Sequence, residues 1–459
     1  MLNEIITKSI TEGANLKGYR EEIRAQLSEN PRSIIILDDD PTGTQTVHDI
    51  PVITEWTEET LEKELLESPV FFILTNSRSL QPKDADALAR IIGQRLKKLS
   101  DRHMKNLLVI SRSDSTLRGH YPNEVNALVQ GLELKNAKHL LTPAFFEGGR
   151  YTFNDIHYIQ EGESFIPVSE TPFAQDNTFG YNASNLKDWI KEKTEIPSDQ
   201  IASLSIETLR NDATESIISI LESKGMSHIA INATSTADLE SVALASLRCK
   251  TPLVFRTAAS FVNAISGIAP APLLNGAEII AGQNTLGALV VVGSYVPKTT
   301  EQLEHLKKNG KAVFLELDVF NILEIADFQK EVKRLSREID ELLRLNKDVV
   351  FYTSRTVIKG ETKAESLEIV NRVSEALIAI VKALSVRPRY ILAKGGITSS
   401  DVATKALSVK RALIAGQVIK GVPVWQLGEE AKYANMPYIV FPGNVGDKRA
   451  LHDLIQKLE

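Results

Sequence analysis

Residues 32–45 read RSIIILDDDPTGTQ. Four aliphatic residues, Ile34 to Leu37, run directly into Asp38, Asp39 and Asp40, and Pro41, Thr42 and Gly43 follow. A short unbroken apolar run closed by turn residues predicts a strand buried on both faces, the kind that parallel sheets contain. Three adjacent carboxylates at the end of such a strand repel one another unless a cation or a proton sits among them. A helix cap or a solvated loop needs only one Asp.

The same unit recurs along the chain: a β-rich apolar run, a polar cluster, then an amphipathic helical stretch. The first half has SIIIL (33–37), VFFIL (70–74), LLVIS (107–111), HLLTP (139–143), HIAIN (228–232) and PLVFR (252–256), with helical periodicity over 84–99 and 123–132. The second half has ALVVVGS (288–294), AVFLEL (312–317), VVFYTS (349–354), YILAKGG (390–396), VPVWQL (422–427) and YIVFPG (438–443), with a charged amphipathic helix over 327–348. Strands alternating with helices predict an α/β protein of two domains, each with a largely parallel sheet covered by helices. The Gly-, Ala- and Pro-rich stretch between the two sets separates a domain over 1–265 from one over 288–459, with 266–287 as linker. Residues 151–200 have only weak periodicity.

Composition narrows the function. A chain of 459 residues exceeds one ordinary core. A net charge of −6 argues against a nucleic-acid or anionic-membrane surface. The single cysteine, Cys249, rules out an intrachain disulfide and thiolate metal sites, and precedes a strand as a core residue does. The polar N-terminal stretch and the lack of any apolar run of about 18 residues lead to the expectation of a cytoplasmic protein without a membrane span. An oligomer of the chain remains open.

In parallel sheets, ligands bind beyond the carboxyl ends of the strands. In the first half those ends deliver DDDPTGT (38–44), then Thr75 to Ser79 with Arg78, then Ser111 to Thr116 with Arg118, Gly119 and His120, then Pro143 and FFEGGR (145–150). Arginine pairs with carboxylates through two parallel hydrogen bonds. Carboxylates and hydroxyls grip sugar hydroxyls, and an Asp beside a substrate hydroxyl can take its proton during phosphoryl transfer. The inventory suits a small polyhydroxy acid, its carboxylate on Arg78 or Arg118 and its alcohols on Asp39, Asp40, Asp114 and Ser115. Singly, each cluster reads as a cap or a surface ion pair; four at successive strand ends point to a pocket.

The second half differs in kind. AKGGITSSDVATKAL (393–407) and FPGNVGDKRALHDLIQKL (441–458) run from strand through glycine turn to helix, and Gly293-Ser294 precedes a helix that Thr299-x-x-Gln302 would open as a capping box. Glycines let backbone approach a ligand, and free amides favour an anion. These turns suggest a cradle for a polyphosphate. No GxxxxGK[ST], no GxGxxG after a strand, no HExxH and no GxSxG occurs. No metal ligand can be assigned, and His48 and His120 read as hydrogen-bonding neighbours.

With these motifs, the sequence resembles the four-carbon acid sugar kinases. Members carry an Asp-Asp-x-Thr-Gly turn, matched by Asp39 to Gly43, and an Asp-Ser-Thr-x-Arg-Gly element, matched by Asp114 to Gly119. Their Gly-Ser strand end is matched by Gly293-Ser294 and their Gly-Gly-x-Thr turn by Gly395 to Thr398, all in order along the chain. The resemblance implies phosphorylation by ATP, with Mg²⁺, of the terminal hydroxyl of a four-carbon sugar acid such as threonate, erythronate or 3-oxo-tetronate. It implies a substrate domain followed by a nucleotide domain. Asp40 or Asp39 would be the base. Asp39, Arg78, Ser113, Asp114, Ser115, Thr116 and Arg118 would hold the sugar acid. Ser294, Gly395, Gly396, Ile397, Thr398, Gly443, Asn444 and Gly446 would hold ATP, with Lys394 offsetting phosphate charge. Ile397 stands where the family more often has an acidic residue, Phe-Pro-Gly-Asn-Val-Gly replaces the commoner Lys-Ser-Gly-Gly-Phe-Gly, and Pro41 and Thr44 are also unusual. These departures mark a subgroup. They keep open a non-catalytic nucleotide-binding sensor, and the Asp triplet keeps open a metal-dependent hydrolase or lyase.

Overall fold

The computed structural model describes residues 2–459 apart from 212–213, 281, 283–284, 324, 356–357 and 359–362, so part of the expected linker lies outside the described residues. The chain forms two compact units, Met1–Pro270 and Ala271–Glu459.

In the first unit the strands are β1 Ser33–Asp38, β2 Ile50–Ile53, β3 Val70–Leu74, β4 Leu107–Arg112, β5 Lys138–Thr142, β6 Arg150–Phe153, β7 Ile156–Glu161, β8 Ser164–Pro167, β9 Ile201–Leu204, β10 His228–Ile231 and β11 Leu253–Thr257. The main sheet runs β2-β3-β1-β4-β11-β5-β10-β9, and every pairing in it is parallel. β1 lies inside this sheet with all six residues buried, as an aliphatic strand covered on both faces must be. Its register sets Asp38 beside Leu74 of β3 and Arg112 of β4, so three strands end level. β11 inserts between β4 and β5, and Thr257 thereby joins Arg112 and Thr142 at the same rim.

The weakly periodic stretch after residue 150 forms a separate antiparallel sheet, β6-β7-β8. Asn154 and Asp155 turn its first hairpin with φ of 50° and 64°, the left-handed pair that a tight hairpin requires. The strands β2 and β9, four residues each, are too short to carry a strand pattern in the sequence.

The second unit contains β12 Leu289–Val292, β13 Val313–Leu317, β14 Val349–Thr353, β15 Ile391–Lys394, β16 Arg411–Ile419, β17 Val422–Leu427 and β18 Pro437–Phe441. β13-β14-β12-β15-β18 pair in parallel, while β17 and β16 add antiparallel. β16 carries no polar–apolar alternation in sequence, because Leu413, Ala415 and Ile419 share a face with Arg411 and Gln417, although its burial alternates strictly along RALIAGQVI. Both units are α/β, each with a largely parallel main sheet, as the pattern predicts.

Helix Asn123–Gly131, which follows the β4 cluster, packs on helix Pro82–His103 through glycines. A Cβ on Gly93 would lie 2.8 Å from the Leu128 carbonyl oxygen and 3.0 Å from Gly131 Cα. Gly93→Val should therefore destabilise the first unit by about 1–3 kcal/mol through overpacking. Urea unfolding followed by tryptophan fluorescence checks this; an unchanged midpoint would contradict the close approach.

Candidate functional site

The two buried members of the Asp triplet are neutralised in different ways. Asp38 is fully buried, and Arg112 Nη1 donates to its Oδ1 at 3.0 Å. Burial, which Arg112 opposes, pushes the Asp38 carboxyl up to about 7. Asp39 is 3% exposed and receives Arg78 through both Nη2 (2.6 Å) and Nε (3.2 Å), with the Ser113 hydroxyl donating as well. Burial acts to raise Asp39, but Arg78, then Arg256 and Arg112, outweigh it and leave the carboxyl below its ordinary value. Cations and a tendency to hold a proton thus both answer the repulsion. Gly43 is needed because a Cβ there would run into the Asp38 carboxylate.

Asp40 differs. Its carboxylate accepts from Thr42 N (2.9 Å) and Thr42 Oγ1 (2.6 Å), capping the turn Pro41–Thr44. Its side chain is 17% exposed, and Arg78 Nη1 stands 3.5 Å away. Asp40 is the member of the triplet with solvent access.

At the end of β4, Asp114 accepts from Arg118 Nε at 2.7 Å and from the Thr116 hydroxyl. Burial opposes ionisation of Asp114, yet Arg118 and then Arg78 hold it well below the usual carboxylate range. Arg118 also faces Asp176 (3.6 Å) and lies over the Phe173 ring. Thr116 and Ser115 are fixed through their backbone: Tyr181 Oη donates to the Thr116 carbonyl (2.7 Å), and His157 Nε2 lies 2.8 Å from that of Ser115.

Arg256 and Glu124 join this rim without any local signal in the sequence. Arg256, on β11, donates from Nη2 to the Arg118 carbonyl at 3.0 Å. Gly119 has φ of +121°, and a Cβ there would sit 2.7 Å from that nitrogen. Glu124, pushed up to about 7 by burial, accepts from Ser77 Oγ at 2.6 Å. His120 Nε2 lies 3.1 Å from the Ser77 carbonyl oxygen, a hydrogen-bonding neighbour. His157 and Tyr181 come from the region of weak periodicity. Arg256 was visible only as the end of PLVFR, and only the insertion of β11 makes it part of the site.

In the second unit the glycine turns converge on Ser294. Gly395 has φ of +119°, and a Cβ on it would lie 2.9 Å from Ser294 Cβ; one on Gly443 would lie 3.0 Å from Ser294 Oγ. A Cβ on Gly293 would overlap the Thr398 hydroxyl. Arg355, absent from the sequence reading, donates to the Ser294 carbonyl (2.8 Å) and to Thr300 Oγ1 (2.7 Å). Gly446 and Asn444 are exposed, and Ile397 is 56% exposed.

Two expectations change here. Helix Pro297–Asn309 starts with Pro297 after the N-cap Val296, so Thr299 and Gln302 form no capping box; proline prefers that first helical position. Thr299 Oγ1 donates instead to the Gly443 carbonyl (3.1 Å), and Gln302 Nε2 to those of Val445 (3.0 Å) and Asp447 (2.8 Å). Lys394 does not present its charge at the surface. It is fully buried, Nζ donates to the Pro442 carbonyl at 2.8 Å, and it lies 3.9 Å over the Phe441 ring.

Among the described residues, no three His, Cys, Asp or Glu side chains are grouped to hold a metal ion. Nor is any helix among them long and apolar enough to cross a membrane.

Burial pushes the Lys394 amine down to about 7 from the ordinary 10.5. Between those values the unfolded chain binds a proton that the folded chain releases, so this group's contribution to stability rises with pH across that window and is lost as pH falls through about 7. Thermal melts should show the native protein gaining on Lys394→Met from pH 7.5 to about 10. A constant difference would mean that the amine is not desolvated.

Two family models match the chain: Sugar-binding N-terminal domain over residues 34–265 and Nucleotide-binding C-terminal domain over residues 289–451. The fold is similar to that of a Salmonella typhimurium LT2 protein provisionally named a tRNA synthase, at TM-score 0.68 and 17% identity, covering 93% of this chain and 98% of that one. It is also similar to Haemophilus influenzae protein HI1011, of family DUF1537, at TM-score 0.61 and 16% identity, covering 93% and 100%. At such identities the likeness is one of fold. No curated protein matches the sequence. A sugar-binding domain followed by a nucleotide-binding domain, with the acidic turn and the glycine turns in place, makes this chain a member of the four-carbon acid sugar kinase family.

Proposed function

We propose that the protein is an ATP-dependent kinase acting on the terminal hydroxyl of a four-carbon sugar acid of the threonate, erythronate or 3-oxo-tetronate type. The observation that carries this reading is the division of labour in the Asp triplet: Asp38 and Asp39 are locked to arginines, while Asp40 keeps solvent access. Asp40 would take the proton of the substrate hydroxyl. As that proton leaves, the hydroxyl oxygen bonds to the γ-phosphorus of ATP, and the bond from γ-phosphorus to the bridging oxygen breaks. The bond pair departs with ADP. Asp39 would act as a positioning residue, holding Arg78 beside Asp40.

The second unit offers main chain where a polyphosphate would need it. Gly293, Gly395 and Gly443 let the three turns pack closely around Ser294, and the phosphates would lie against the main chain of Ser294 and Gly395 to Thr398. Mg²⁺ would enter bound to the phosphates, where it neutralises charge. The exposed Ile397, in place of the commoner acidic residue, favours the alternative of a non-catalytic nucleotide sensor.

ADP release, screened against four-carbon sugar acids and their oxo forms, separates the two. At least one acid should stimulate release, and Asp40→Asn should lower kcat by about 10²–10⁴-fold, the usual contribution of a general base. A flat response to every acid while ATP binds would favour the sensor; full turnover in Asp40→Asn would remove that residue from the chemistry.

A further inference from the structure

Arg78, Arg112, Arg118 and Arg256 gather at the rim of the first unit's main sheet, and three of them are committed to ion pairs. Arg78 pairs with Asp39, Arg112 with Asp38, and Arg118 with Asp114 and Asp176. Arg256 makes no ion pair among the described residues and its Nη1 has no partner, but it is 4% exposed, and its Nη2 donates to the Arg118 carbonyl. The two arginines expected to meet a substrate carboxylate, Arg78 and Arg118, are therefore already neutralised by the protein's own carboxylates.

Arg150 is different. It opens β6, and its backbone is fixed by reciprocal hydrogen bonds with Phe145 (2.9 and 3.1 Å) around a turn whose Gly149 has φ of 73°. Its Nη1 donates to the Gly148 carbonyl, its Nε has no partner, and it makes no ion pair among the described residues. The side chain is only partly exposed. The turn is held at the carboxyl ends of β5 and β11, where Phe146 N donates to Ser260 Oγ at 3.1 Å and Phe145 packs on Ala258 and Ala259; Asp114, Glu161 and Arg118 are the charges that act on the guanidinium. A guanidinium drawn out of water without a counter-ion is costly unless a ligand supplies the anion. Its planar fork matches a carboxylate.

We propose that Arg150 receives the carboxylate of the sugar acid and so sets the preference for acids over neutral polyols. The assignment rests on the sugar-acid reading above. It moves the anchor from Arg78 and Arg118, part of the substrate set read from sequence, to the turn that ends FFEGGR.

The test compares native protein, Arg150→Gln and Arg150→Lys with threonate and erythronate and with the uncharged tetritols threitol and erythritol. Arg150→Gln should weaken the acids about 10–100-fold, in KM and in calorimetric Kd, as expected for losing hydrogen bonds to a charged group. Tetritol affinity and nucleotide affinity should not move, and Arg150→Lys should recover part of the loss. Equal loss for acids and tetritols, or no loss, overturns the assignment. If no acid elicits ADP release, the kinase reading fails, and calorimetry alone decides Arg150. Acid binding that disappears in Arg150→Gln supports it, whereas binding retained in the variant, or missing from the native protein, overturns it.

Discussion

Asp38 and Asp39 sit next to one another inside the protein, and the first unit is organised by how that pair is neutralised. A buried carboxylate is tolerated when paired and hydrogen-bonded; stripping the partner from a buried pair typically costs about 3–5 kcal/mol. Arg112 comes from the strand that the register places directly alongside, and Arg78 from the turn after β3. The pairing therefore ties three strand ends together. It also aims the leftover functionality: with two carboxylates consumed, Asp40 is the one turned toward solvent. Ser113 bridges the arrangement to the next loop, since its hydroxyl reaches both Asp39 and the Arg118 carbonyl, which Arg256 also holds.

The second unit is built from different material, glycine turns that gather around Ser294. Bare turns would be floppy on their own. Here buried polar side chains stiffen them: Thr299 and Gln302 hold the segment from Gly443 to Asp447, Arg355 holds Ser294, and Lys394 holds Pro442. The lysine is an internal brace rather than a phosphate ligand, because its carbonyl and aromatic partners point it inward.

Much of this was legible. VFFIL and VPVWQL are strands at the residues read from sequence, and the aliphatic run before the Asp triplet is a buried strand ending in the site. Local pattern suffices there, because an unbroken apolar run has one stable destination. It failed at β6 to β8, whose short strands form a small separate sheet, and at β16, whose burial alternates although its residues do not. Thr299-x-x-Gln302 misled because a capping box and a pair of buried turn ligands have the same spelling.

The sequence by itself determined two α/β units, the acidic turn, the glycine turns and their order, since each follows from short-range periodicity and backbone sterics. Only the tertiary structure decided which charges are spent and which are free. The insertion of β11 brings Arg256 to the rim, the parallel register pairs Arg112 with Asp38, and the weakly periodic stretch supplies His157 and Tyr181. The reason is physical. Ionisation, burial and pairing depend on distances between residues far apart in the chain, and no local spacing encodes them.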